Sequence, residues 1–149
     1  MKKALAVLAL GLVLGGAAQA QTFSAGGTFS APGPSFGANL GVTFKVADLG
    51  SNALNARISA DVTRVAGVFG FGVNADVLYT IPTDMLNLYV GPSVGFISAG
   101  GAGAAKVGAV AGVNYAVSSQ MGVFTEGFYN YVINGGSYGG IRAGVTFSL

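Results

Sequence analysis

The stretch LNARISADVT, from Leu54 to Thr63, alternates strictly between apolar and polar residues. One side of it carries Leu54, Ala56, Ile58, Ala60 and Val62, and the other carries Asn55, Arg57, Ser59, Asp61 and Thr63. Because successive side chains of a β-strand point to opposite faces, this period of two predicts a strand with one apolar and one polar face.

The same alternation recurs along the rest of the chain, separated by segments rich in Gly, Pro, Asn, Asp and Ser that are typical of turns. We predict eight strands with the approximate bounds 22–30, 35–46, 54–64, 68–81, 86–97, 106–117, 121–131 and 139–149. Apart from Arg64, which ends the third strand beside a turn, no charged residue lies on the apolar face of these strands.

Residues 1–20 have the features of a secretory signal peptide. A basic start precedes an apolar run from Ala4 to Leu14, and the tripeptide AQA at 18–20 supplies the small residues of a cleavage site. The run is shorter than the about 20 residues that a membrane-spanning helix needs. We therefore expect a cleaved signal peptide over 1–20 and one mature domain over 21–149, with an uncleaved membrane anchor as the alternative.

The charge and composition of the chain exclude several classes of function. Of its seven basic residues, Lys2 and Lys3 lie in the predicted signal peptide, which leaves five basic residues against five acidic ones. A neutral mature chain lacks the positive charge that nucleic-acid binding requires, so we expect no nucleic-acid partner. With no Cys and no His, the chain also lacks the residues of thiol chemistry, histidine triads and most metal sites. We expect no catalytic residues, no cofactor, no metal site and no enzymatic activity.

The scarcity of charge indicates which face of the strands points outward. Charged residues make up 8% of the chain, and those on the polar face are scattered among Gly, Ser, Thr and Asn. A surface in contact with water carries about 25–35% charged residues. We therefore predict an all-β fold, an eight-stranded antiparallel up-and-down transmembrane β-barrel in the cell outer membrane, with its apolar face toward lipid. A soluble periplasmic barrel that binds an apolar ligand inside is the alternative.

Aromatic residues of the apolar face are predicted to form two belts, one at each membrane interface. If the first strand starts at the periplasmic side, the outer belt comprises Phe29, Phe36, Phe69, Phe71, Phe96, Tyr129 and Tyr131. The periplasmic belt comprises Phe23, Phe44, Tyr79, Tyr115 and Phe147.

Six charged residues share the polar face and predict an ion-paired interior: Lys45, Arg57, Asp61, Asp76, Glu126 and Arg142. A two-residue turn at 66–67 places Arg57 directly opposite Asp76 in the hairpin, within reach of a cross-strand ion pair. The last hairpin places Glu126 opposite Arg142 or one diagonal away. This interior is either a structural core or a narrow, weakly selective pore for ions or small solutes.

Four other charged residues are expected in or beside turns: Asp48, Arg64, Asp84 and Lys106. Glycines on the polar face have two possible uses, because a missing side chain either leaves space in the lumen or permits strong coiling of the strands. The sequence does not distinguish between these two uses.

Three segments carry a resemblance to a known family. The segments are YVGPSVGF (89–96), VFTEGFYNY (123–131) and GIRAGVTFSL (140–149). They resemble the fifth, seventh and closing strands of the OmpA/OmpX-type eight-stranded outer-membrane barrels, with Glu126 pointing inward in the seventh. Members of that family usually end in an aromatic residue that the barrel-assembly machinery recognises, whereas this sequence ends in Leu149 with Phe147 two positions earlier.

Because the interiors of eight-stranded barrels are generally filled by side chains, we expect an integral outer-membrane protein with a mainly structural role in the envelope. Its expected partners are membrane lipid and, during biogenesis, the barrel-assembly machinery. We expect a monomer.

Overall fold

A computed structural model of the protein describes residues 21–65 and 67–149. It has eight strands, β1 (Gln21–Ala31), β2 (Ser35–Leu49), β3 (Asn52–Val65), β4 (Val68–Pro82), β5 (Leu86–Ala99), β6 (Ala102–Ala116), β7 (Met121–Val132) and β8 (Ser137–Ser148). Every strand pairs antiparallel with its neighbours in sequence, and β1 also pairs with β8, so the sheet closes into an up-and-down barrel. The predicted fold is confirmed. The signal peptide predicted over 1–20 lies outside the described residues.

The register of the hairpins follows the lengths of their turns. Two residues separate the paired Val65 and Val68, and this short connection aligns Arg57 directly with Asp76. In the last hairpin Glu126 is directly opposite Arg142. Both pairs point into the barrel, as the alternation of the strands predicts.

The chain termini of the described barrel lie at one of its two ends, together with three of its turns. Strand β1 begins and β8 ends at one end, called here the proximal end, which also has the turns after β2, β4 and β6. The other, distal end has the connections after β1, β3, β5 and β7, each two to four residues long. Across the described ranges, no helix is long and apolar enough to cross a membrane.

Along the strands, polar side chains are buried and apolar side chains are exposed, which is the reverse of the pattern in a soluble protein. In β4, the inward Asn74 and Asp76 are buried, while the outward Phe71, Val73 and Val77 are about half exposed. Buried positions of the described barrel are mainly polar, and its exposed positions are mainly large and apolar. The soluble alternative, which required the apolar face to point inward, is therefore wrong.

Aromatic side chains form the two predicted belts on the outer face. All seven members of the outer belt lie in the distal half and are exposed. In the proximal belt Phe23, Tyr79, Tyr115 and Phe147 are exposed, and Phe44 is half-buried. Amphipathic aromatic rings favour the boundary between lipid and water, so a belt toward each end of the strands fits a membrane barrel.

Inward glycines differ in what an added Cβ would meet. At Gly91, Gly95, Gly108 and Gly144, an added Cβ would overlap a backbone carbonyl oxygen of the neighbouring strand, so these glycines permit close approach of the backbones. At Gly72 an added Cβ would make only ordinary contacts, 3.6 Å from Asp61 Oδ2, so this glycine leaves space in the lumen.

Candidate functional site

The centre of the lumen is occupied by the guanidinium group of Arg57. Its Nε donates to Asp76 Oδ2 on the adjacent strand at 2.7 Å. Its Nη1 and Nη2 donate to Glu126 Oε2 at 2.6 Å and Oε1 at 3.1 Å, across the barrel from β3 to β7. The planar fork of an arginine matches the two oxygens of a carboxylate in this bidentate geometry.

Arg142 on β8 extends the same arrangement toward the distal end. Its Nη1 donates to Glu126 Oε1 at 2.9 Å, while Nε and Nη2 donate to Asp61 Oδ1 and Oδ2 at 3.2 Å each. The side-chain amides of Asn39 and Asn74 complete the shell of Asp61, at 2.9 Å from Oδ1 and 2.7 Å from Oδ2 respectively.

These contacts form one continuous ion-pair chain, defined by Asp76, Arg57, Glu126, Arg142 and Asp61 in that order. Positive and negative groups alternate along it, and all five residues are buried. Burying a charge is costly unless it is paired and hydrogen-bonded, and the chain meets both conditions.

Aromatic side chains line the arginines of the ion-pair chain. The ring centroid of Tyr89 lies 5.9 Å from Arg57 Cζ, and its hydroxyl donates to Glu126 Oε2 at 2.8 Å. The ring centroid of Phe128 lies 4.3 Å from Arg142 Cζ. A cation over an aromatic face is stabilised by the ring quadrupole, so both rings add to the electrostatic stabilisation of the lumen.

Lys45, the sixth residue expected in the interior network, lies outside the ion-pair chain. It forms an ion pair with Asp48 near the proximal mouth, where its side chain is 37% exposed. The register of β2 against β3 shifts between Lys45 and Ala47, which is a β-bulge. Lys45 is also two positions closer to the mouth than Thr43, the partner of Arg57, so it meets the adjacent turn instead of the buried carboxylates.

Lys106 was expected beside a turn, and the structure corrects this expectation. Strand β6 starts at Ala102 and not near residue 106, so Lys106 is inside the strand and points into the lumen, with 3% of its surface exposed. The Gly- and Ala-rich segment before it has no contrast between its two faces, so alternation could not locate the start of this strand.

Two cavities lie in the lumen, on opposite sides of the ion-pair chain. The proximal cavity has a volume of about 150 Å³ and is lined by Arg57, Tyr89 and several Thr and Asn side chains. The distal cavity has a volume of about 220 Å³ and is lined by Asp61, Lys106 and Arg142, among others. The ion-pair chain therefore divides the lumen into two compartments.

The geometry offers little for acid–base or metal chemistry. Each buried carboxylate of the ion-pair chain accepts hydrogen bonds from at least one arginine, so none is poised as an unpaired general base. Among the described residues, no group of three or more potential ligands lies close enough together to hold a metal ion.

Comparison with solved structures identifies the type of fold. The barrel is similar to Neisserial surface protein A, with a TM-score of 0.68 and 17% identity over 86% of this chain and 95% of that chain. It is equally similar to the N-terminal β-barrel domain of OprF from Pseudomonas aeruginosa, with a TM-score of 0.68 and 16% identity over 88% of this chain and 98% of that one. The chain has the fold of the small outer-membrane barrels. No protein-family model and no curated protein sequence matches it.

An enzyme also shares this fold. The outer membrane enzyme PagL matches with a TM-score of 0.57 and 10% identity, over 85% of this chain and 98% of that chain. At such identities the likeness concerns the architecture alone, because one fold can host different functions.

Proposed function

We propose that the protein is an integral outer-membrane barrel whose role is structural, with a lumen closed by the ion-pair chain. The observation that carries this proposal is the inverted burial, with apolar side chains outside and paired charges inside. Monomeric soluble proteins rarely expose contiguous apolar patches larger than a few hundred Å². A continuous apolar band with aromatic belts at both edges is instead suited to lipid.

The same proposal includes the partners of the barrel. Membrane lipid contacts the apolar band, and the barrel-assembly machinery inserts the chain during biogenesis. We also propose a monomer, which is supported by closure of the sheet between β1 and β8, since the described strands leave no edge for another copy to pair with. We further propose that the protein has no enzymatic activity, a proposal supported by the ion pairs that hold the buried carboxylates.

Membrane fractionation tests the proposal. We expect the protein to stay in the outer-membrane pellet after washing with alkaline carbonate, and to be released only by detergent. A soluble periplasmic protein in the same cells serves as the control for complete washing. Release of the barrel together with that control would contradict membrane integration.

A narrow pore is the second candidate function, and the two lumen cavities favour it. They approach the ion-pair chain from both ends, so a rearrangement of a few side chains would join them. Recordings in planar bilayers distinguish the two roles. A structural barrel gives no unitary current steps, whereas a pore gives steps that are reproducible from one insertion to the next.

A further inference from the structure

Lys106 is a buried cation outside the ion-pair chain. Its Nζ donates to the hydroxyl of Tyr138 at 3.0 Å and lies 5.6 Å from the centroid of the same ring. Within the described residues, no carboxylate oxygen lies within 4.0 Å of this Nζ. A lysine ammonium has three donors, and the contact with Tyr138 uses one of them.

None of the nearest charged groups forms an ion pair with Lys106, because their hydrogen bonds are made with each other. Both oxygens of Asp61 accept two hydrogen bonds each, from Arg142 and from the amides of Asn39 and Asn74. Arg142 in turn donates from all three of its nitrogens to Asp61 and Glu126. The ammonium of Lys106 is therefore a charged group of the distal cavity that has capacity for an additional acceptor.

The distal cavity around Lys106 combines this cation with hydroxyl groups and apolar walls. Thr28, Ser35 and Thr63 contribute hydroxyls to its lining, and Ile97 and Phe128 contribute apolar surface. Its volume of about 220 Å³ exceeds the about 150 Å³ of a cavity that holds benzene. The distal turns between the described strands are two to four residues long, so none of them forms a long loop over its mouth.

We propose that the distal cavity binds a small organic monocarboxylate. Its carboxylate accepts hydrogen bonds from Lys106 Nζ and from the hydroxyl of Tyr138, and its apolar part contacts Phe128 and Ile97. The charged residues that line the cavity are two cations, Lys106 and Arg142, and one acid, Asp61, so the lining favours a ligand with a single negative charge over one with two.

The test uses acetate as the probe and the lysines as reporters. Beyond residues 1–20 the chain contains only Lys45 and Lys106, so a barrel comprising 21–149 with ¹³C at lysine Cε gives two resolvable methylene signals in NMR spectra. In a nonionic detergent at constant ionic strength, acetate should shift the Lys106 signal until it saturates. The signal of Lys45, which is paired with Asp48, should change little and without saturation.

Two controls distinguish specific binding of acetate in the distal cavity from a general effect of added ions. Acetamide has nearly the size of acetate but no charge, and we expect it to leave the Lys106 signal in place. Tyr138→Phe should weaken acetate binding about 2- to 10-fold through loss of one hydrogen bond, while Tyr115→Phe at the proximal rim should not. Equal responses of Lys45 and Lys106, or equal effects of acetate and acetamide, would overturn the proposal.

Discussion

Among the acids of the ion-pair chain, Asp76 relies most on a single side chain for its hydrogen bonding and charge pairing. Its described hydrogen bond and ion pair are both with Arg57, whereas Glu126 is contacted by Arg57, Arg142 and Tyr89. With 3% of its surface exposed, Asp76 has little access to water as a substitute partner. Arg57 is therefore the residue whose loss should isolate a buried charge most completely.

Replacement of Arg57 by methionine, which keeps the length but removes the charge, should strongly destabilise the barrel. Removal of one partner of a buried ion pair typically lowers the free energy of unfolding by about 3–5 kcal/mol. We expect a loss in this range for Arg57→Met, measured by urea titration of the refolded barrel with circular dichroism. The double variant Arg57→Met/Asp76→Asn should recover part of the loss, because it also removes the isolated carboxylate.

Lys45→Met is the matched control for this measurement. The ion pair of Lys45 with Asp48 is exposed, and such pairs contribute about 0–1 kcal/mol. If Arg57→Met cost no more than Lys45→Met, the ion-pair chain would not stabilise the fold.

At the scale of elements, the contact between β4 and β5 depends on the absence of a side chain. The ladder is interrupted between the pairs Asp76–Ser93 and Tyr79–Val90, where Pro92 has no N–H to donate. At the same place a Cβ on Gly91 would overlap the carbonyl oxygen of Val77. Backbone atoms cannot move away as the end of a side chain can, so the strands would have to separate.

Gly91→Ala should therefore prevent or severely impair formation of the barrel. The folded fraction is measured as the band that changes mobility on heating in detergent gels. Gly72→Ala on the inward face of β4 is the control. The added Cβ would make only ordinary contacts there, so we expect this variant to fold normally. Equal folded fractions of the two variants would show that formation of the barrel does not require the close approach of the Gly91 and Val77 backbones.

The apolar face of the strands gives a depth-dependent prediction. Ala75 lies on the outward face at the middle of β4, while Ala31 lies at the distal end of β1. In lipid, a lysine at the bilayer midplane costs about 2–4 kcal/mol and one near the interface about 0–1 kcal/mol. We expect this difference between Ala75→Lys and Ala31→Lys in urea titrations in phospholipid vesicles. Equal costs would indicate that the outer face is not embedded in lipid.

Strand positions could be predicted wherever the two faces differ in chemistry, and not where they are alike. The contrast of faces over 54–64 and 68–81 located β3 and β4 to within about two residues. The segment before Lys106 consists of Gly and Ala on both faces, so the start of β6 and the burial of Lys106 were missed. The bulge between Lys45 and Ala47 coincides with the predicted end of the second strand at 46, so a break in the period of two there does not show that Lys45 is excluded from the ion-pair chain.

At the scale of the whole molecule, the barrel brings together charges that no local pattern connects. Turn lengths predict the pair Arg57–Asp76, which are neighbours in one hairpin. The contact between Arg57 and Glu126 spans 69 positions, and that between Arg142 and Asp61 spans 81. Such contacts depend on the closure and coiling of the complete sheet, which the sequence pattern alone does not specify.

The orientation of the whole barrel in the membrane can be tested with single cysteines, because the chain has none of its own. Gly136 lies in a distal turn with no atom within 4 Å of an added Cβ, and Ser51 lies in a proximal turn. If the proximal end faces the periplasm, a membrane-impermeant maleimide should label Gly136→Cys on intact cells and Ser51→Cys only after lysis. The reverse pattern would indicate the opposite orientation.

The pairing of β1 with β8 has a consequence for the order of folding. It joins Thr22 to Ser148, which are 126 positions apart, so closure must wait until the last strand is available. Until then the nascent sheet has two unpaired edges and an apolar face, both of which promote aggregation. Long-range pairing also slows folding, because a large loop must be closed before its contacts form. Closure of the sheet protects the mature protein from aggregation, but it comes last. Until it forms, the chain is prone to aggregate and would need a chaperone to shield its unpaired edges and its apolar face.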